Sequence, residues 1–166
     1  MPLASGHKQQ PTPASVWRNP IHFLAFGFGS GALPRAPGTF GTLVAIPLFL
    51  LLAPLPLWSY LSLVTVLTVL GIWLCQVTSR DLGVHDHAAI VWDEFAGFFI
   101  TMLFAPVSLT TIVLGFCLFR VFDILKPWPA SVIDSRIKSG LGVMLDDVIA
   151  GIYAMLVLQL YLKVFT

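Results

Sequence analysis

The chain has 166 residues, 57% of them hydrophobic and 10% charged, with a formal net charge of +1 and a mean hydropathy of +0.90. Soluble domains carry about 25% charged residues, so this composition excludes an ordinary soluble protein and predicts an integral membrane protein of one domain. The near-neutral charge, with no basic stripe interleaved with aromatics, excludes a nucleic-acid binder.

Residues 1–16 are rich in Pro, Ser and Gln, which offer nothing to bury, and predict a disordered tail without the apolar core of a cleaved signal peptide. Residues 17–166 are expected to form a single membrane-embedded helical domain. Trp17, Arg18 and His22 mixed with Phe23, Leu24 and Phe26 predict a short interfacial helix. The run GFGSGALPRAPGTFGTL (27–43) holds too much Gly and Pro for a regular helix. Thr42–Leu52 opens a first span. Trp58–Val77 is the cleanest span, about 20 residues without a charge. A polar loop, RDLGVHDHA, leads to a helix from near Ala88 to Phe104. Leu109–Leu125 returns, a second polar loop covers 127–143, and a last helix runs from near Leu141 to Phe165. The expected fold is all-α, a compact bundle of four to five membrane-embedded helices. Cys75 and Cys117 lie inside apolar runs, fit no CxxC pattern, and read as small buried hydrophobes.

Five spans with a cytoplasmic N-terminus put both polar loops on the same side as Arg18 and Arg35, in accord with the positive-inside rule. Only Lys163 falls on the far side, where its stem can snorkel. An active site at the cytoplasmic face follows. The segments 42–53 and 95–105 are short for a hydrocarbon core of about 30 Å, so four spans with a re-entrant segment is the competing arrangement.

Two acidic pairs open apolar runs: Asp93-Glu94 before FAGFFITMLFA, and Asp146-Asp147 before VIAGIYAMLVLQLYL. A charge at the centre of a bilayer helix costs roughly 2.5–3.5 kcal/mol, so four unpaired carboxylates would cost on the order of 10–14 kcal/mol. A divalent cation is the simplest compensation, and hard oxygen ligands favour Mg²⁺ or Mn²⁺ over zinc. Gly97 follows Asp93 by four residues, and Gly151 follows Asp147 by four, so each acid has a small residue one turn deeper on its own face. Small residues let helices approach closely, which predicts that these two helices cross just below their carboxylates. The competing explanation is that these acids merely sit at helix N-termini, where the macrodipole favours them.

Three further groups carry chemistry. Arg120, Asp123 and Lys126 lie at i, i+3, i+6, within an arc of about 120° on one helix face. That face can bind phosphate, or Asp123 can join the metal; a self-neutralising surface stripe is the plainer account. Gly38, Thr39, Gly41 and Thr42, with Arg35 nearby, lead into a helix N-terminus that can hold an anion, or are simply a turn. His85, Asp86 and His87 can ligate metal, orient a ligand or move a proton, or are merely solvated. The thiol-phosphatase, DxDx[TV], GxSxG, HExxH and Walker patterns are all missing.

Together, GSGALPRAPGTFGTL, HDHAAIVWDEFAGF, FRVFDILKPWP and GVMLDDVIAG closely resemble, in family order, the phosphatidylglycerophosphatase A family of bacterial membrane enzymes. The resemblance spans about residues 17–152. It implies a Mg²⁺-dependent phosphatase of the bacterial cytoplasmic (inner) membrane that converts phosphatidylglycerophosphate to phosphatidylglycerol and phosphate, the last step of phosphatidylglycerol synthesis. On that basis Asp93, Glu94, Asp146 and Asp147 are expected to hold the metal, with Asp123 a further ligand. Arg120, Lys126, Arg35 and the Gly38–Thr42 backbone would bind the phosphate, and His85 or His87 would protonate the departing glycerol oxygen. A small transporter or channel with an acidic cation path is the alternative, as is a structural assembly factor, but a cation path would spread its acids across bilayer depth.

Overall fold

The structure is a computed structural model that describes residues 13–84 and 87–165. Among these residues it is all-helical, with seven α-helices: α1 (Pro20–Ala25), α2 (Pro37–Leu52), α3 (Leu57–Leu82), α4 (Trp92–Thr101), α5 (Leu109–Leu125), α6 (Ala130–Arg136) and α7 (Gly140–Phe165). Of the expected 1–16 tail, residues 1–12 lie outside the described residues. Ala14–Trp17 form a 3-10 turn with Val16 buried.

Two helices, α3 and α7, are long and apolar enough to cross a bilayer, each with 26 residues, or about 39 Å at 1.5 Å per residue. Four or five such spans were expected. The helix expected over 88–104 explains part of the difference. It is the ten-residue α4, about 15 Å long, and nine of its residues are buried, with α2, α3, α5 and α7 packed around it. An apolar run looks the same whether lipid or protein covers it, and here protein covers it. By contrast, α3 and α7 leave Val66, Val69, Trp73, Leu156, Leu160 and Val164 exposed.

Other boundaries also differ from expectation. Regular helix begins inside the Gly/Pro run. Ala36 turns the chain at φ 48°, and Pro37 takes the first helical position, where its missing N–H costs nothing. α3 continues past Val77 and carries Arg80 and Asp81 within it. It stops at Gly83 (φ 68°), whose N–H donates to the Arg80 carbonyl while Val84 N–H donates to that of Ser79, a Schellman closure. The expected loop 127–143 contains α6.

Polar side chains tie the helices by capping one another's backbones. Tyr60 Oη donates to the Phe99 carbonyl (2.8 Å), Trp92 Nε1 to that of Leu67 (3.1 Å), and Gln159 Nε2 to that of Leu103 (2.9 Å). The α4–α7 crossing is a backbone-to-backbone one. A Cβ on Gly151 would overlap the Gly97 carbonyl oxygen and lie 3.1 Å from its Cα, while one on Gly97 would lie 2.9 Å from the Asp147 oxygen. Thr101 Oγ1 donates to the Gly97 carbonyl (2.9 Å) and reaches that of Gly151 (3.4 Å). Backbone thus meets backbone one turn below the acids, as the glycine spacing predicts.

Candidate active site

Asp93 and Glu94 occupy the first turn of α4, where the helix dipole favours negative charge. Asp147 does not: α7 begins at Gly140, so Asp147 lies about two turns inside it. The macrodipole account therefore fails for the second pair. The glycine crossing brings the two helices together so that Asp93, Glu94 and Asp147 each offer an oxygen within 4.8 Å of the others. They are 9%, 8% and 3% exposed. Glu94 Oε2 is buried with no hydrogen-bond partner among the described residues. Three buried carboxylates so close repel one another, and a buried acceptor without a donor costs about 1–3 kcal/mol. An all-oxygen donor set in which one member carries a buried acceptor without a donor fits a hard divalent cation such as Mg²⁺.

Asp146 departs from the expected ligand set. Neighbouring residues on a helix point about 100° apart, so Asp146 cannot share the aim of Asp147. Its Oδ2 lies 2.5 Å from Lys126 Nζ, and its Oδ1 accepts the Asp147 N–H at 3.1 Å. Lys126 caps α5 in a left-handed conformation (φ 43°) and also reaches Asp134 Oδ1 on α6 at 3.0 Å. Burial alone would lower its pKa, but Asp146 and then Asp134 reverse that and hold the ammonium well above its ordinary value.

The α5 face behaves as its spacing suggests. Arg120 pairs with Asp123 (2.5 Å) and lies 3.7 Å from Glu94 Oε1, with both α5 side chains about 15% exposed. Through Arg120, Asp123 is linked to Glu94 of the trio. Asp123 sits in the last turn of α5, where the dipole disfavours an acid, so Arg120 is its necessary partner. Gly38 completes the wall. A Cβ there would strike Glu94 Oε1 and come within 2.9 Å and 3.0 Å of the Arg120 guanidinium nitrogens. The start of α2 thus lies directly against the acids.

The rest of the Gly/Thr segment is engaged in folding. Gly41 packs on Val91, and Thr42 is buried with its hydroxyl donating to the Gly38 carbonyl (2.8 Å). Thr39 is half-buried in the first turn of α2. Arg35 is exposed and makes no ion pair among the described residues. His85 lies outside the described residues. His87 is buried, accepts the Ala89 N–H through Nδ1 (3.2 Å), packs on Phe26, and takes no place in the carboxylate trio.

Sequence reasoning missed Asp134, because α6 went unseen; its one clue was the Asp134/Lys138 spacing of four. It also missed a second polar cluster, in which His22 Nδ1 meets Ser15 Oγ (2.9 Å) and Nε2 meets Asp81 Oδ2 (3.3 Å), tying α1 to α3. Two grooves lie elsewhere. One of about 260 Å³, lined by Phe49, Tyr60, Met102 and Phe104, sits beyond the far end of α4. Another of about 250 Å³, lined by Leu51, Leu63, Trp92 and Phe95, is wholly apolar. Neither contains a carboxylate, so chemistry rather than cavity size marks the site.

Comparisons with known proteins identify the family. The family profile described as "PgpA: Phosphatidylglycerophosphatase A" matches residues 23–162. The chain is 44% identical over 154 residues to phosphatidylglycerophosphatase A of Escherichia coli, covering 92% of this chain and 89% of the relative. It is 49% identical over 141 residues to phosphatidylglycerophosphatase A of Haemophilus influenzae, covering 84% and 86%. It is 39% identical over 143 residues to a putative phosphatidylinositol-3-phosphatase of Bacteroides thetaiotaomicron, covering 81% and 89%. No solved structure matches. With the profile spanning most of the chain and relatives matched over nearly their whole length, the chain belongs to the phosphatidylglycerophosphatase A family.

Proposed function

We propose that this chain hydrolyses phosphatidylglycerophosphate to phosphatidylglycerol and inorganic phosphate, the final step in making that lipid, and that it does so with Mg²⁺ at the carboxylate cluster. Family membership supports the reaction. The observation that carries the site is the trio Asp93, Glu94 and Asp147, contributed by two helices and held within 4.8 Å. Among the described residues these acids gather at one end, which argues against a transport path.

Asp93, Glu94 and Asp147 would hold the ion, with Asp123 alongside. When bound, Mg²⁺ supplies charge neutralisation at the phosphoryl oxygens and a water acidic enough to attack near neutral pH. The chain's own residues do the remainder. Asp123 fixes the Arg120 guanidinium so that its fork meets phosphate oxygens without searching. The Gly38 and Thr39 N–H groups, left over at the start of α2, point fixed dipoles at the same charge. Lys126 offers its ammonium at the rim. Of the two histidines named for protonating the glycerol oxygen, His87 is committed to the interior, which leaves His85 in that role.

The exposed apolar flanks of α3 and α7 support embedding in the bacterial cytoplasmic membrane. The clustering of Arg and Lys near the acids supports a cytoplasm-facing site. The acyl chains then remain in the bilayer while only the terminal phosphate enters. The test is phosphate release from phosphatidylglycerophosphate in mixed micelles. EDTA is expected to silence the enzyme and Mg²⁺ to restore it; undiminished turnover in EDTA refutes the metal assignment.

A further inference from the structure

Lys126 has two carboxylate partners of very different character. Asp146 is 7% exposed in its side chain, lies 2.5 Å from Nζ, and is anchored by the Asp147 N–H. Asp134 is 40% exposed, lies 3.0 Å away, and sits on the seven-residue α6. Its carboxylate has no other ion-pair partner among the described residues, since Lys138 Nζ donates to its backbone carbonyl instead (2.9 Å).

We propose that Asp134 is an exchangeable counter-ion: it occupies Lys126 before substrate arrives and yields that position to an oxygen of the substrate phosphate. This rests on the reading that Lys126 binds the phosphate. Carboxylate and phosphate oxygens are the same class of acceptor for an ammonium group. Asp146 cannot leave, because withdrawal would bury its charge unpaired and disturb Asp147. Asp134 can rotate into water with its charge solvated, so its departure is cheap. It keeps Lys126 neutralised and aimed, at the expense of some affinity for substrate. Asp134 is therefore a positioning and affinity-setting residue, not a catalytic one.

The experiment measures KM, kcat and inhibition by inorganic phosphate for the full-length enzyme in micelles with saturating Mg²⁺. An exposed ion pair is weak, so Asp134→Asn is expected to lower KM and the phosphate inhibition constant by about two- to fivefold. The change should fall in these constants rather than in kcat. Asp134→Ser, equally uncharged, should match it, and Asp134→Glu should keep the wild-type values. Lys126→Gln should raise KM, and adding Asp134→Asn to it should have no further effect. If Lys126→Gln raises KM but neutral variants of Asp134 do not lower it, the counter-ion proposal fails and the clamp stands. Equal lowering in both backgrounds means simple repulsion and also overturns it. An unchanged KM in Lys126→Gln removes the clamp itself.

Discussion

Gly151→Ala should disable the enzyme without unfolding it. The added methyl group would overlap the Gly97 carbonyl oxygen and lie 3.1 Å from Gly97 Cα, against 3.4–4 Å for ordinary contact. Both sides are backbone, so no side chain can swing aside, and α4 and α7 must part by roughly 0.5–1 Å. Overpacking of this kind costs about 1–3 kcal/mol, which a folded domain survives. The site is less forgiving. Asp147 lies one turn from Gly151, and Asp93 one turn from Gly97, so parting the helices directly widens a cluster now spanning 4.8 Å. Mg²⁺ demands near-ideal ligand distances of about 2.0–2.1 Å. A misplacement of about 1 Å can reduce turnover on the order of 10²-fold. The assay is kcat for phosphate release as a function of Mg²⁺, with the mutant's thermal midpoint as control. A hundredfold loss of kcat and a higher Mg²⁺ requirement are expected. Turnover within about threefold of wild type in a folded protein would show that the crossing does not set the carboxylate geometry.

Two further substitutions probe the same centre. Asp93→Asn and Asp147→Asn should each abolish measurable phosphate release while the protein still fractionates with membranes; near-normal activity in both rejects the trio as the metal site. Gly38→Ala pushes on the ends of Glu94 and Arg120, which can yield, so its thermal midpoint should hold while activity falls roughly tenfold or more; a fall in stability without loss of activity contradicts the placement of α2 against the acids.

What the sequence made legible was local geometry of fixed period. Residues four apart share a helix face, so the Asp-to-Gly spacings announced the α4–α7 crossing, and the i, i+3 spacing of Arg120 and Asp123 announced their pairing. What it hid was environment. The run holding Phe95, Phe98 and Phe99 read as a membrane-embedded helix, yet all three are buried in protein. The Gly/Pro run concealed the start of α2, because Pro37 at a first helical position helps a helix rather than breaking it. Contacts between segments distant in sequence, such as His22 with Asp81, left no periodic trace. The pair Asp146-Asp147 looked like one unit, but a step of about 100° divided its labour between Lys126 and the cluster.

The short, enclosed α4 has a consequence for how the protein is made. Its two acids emerge from the ribosome well before α7, which supplies both Asp147 and the backbone groove that Gly97 fills. At about 15 Å, α4 cannot settle as an independent membrane segment. It must wait for α7, so the centre forms only once that helix has been made, and a truncation ahead of Asp147 removes one carboxylate of the trio together with the helix that walls it.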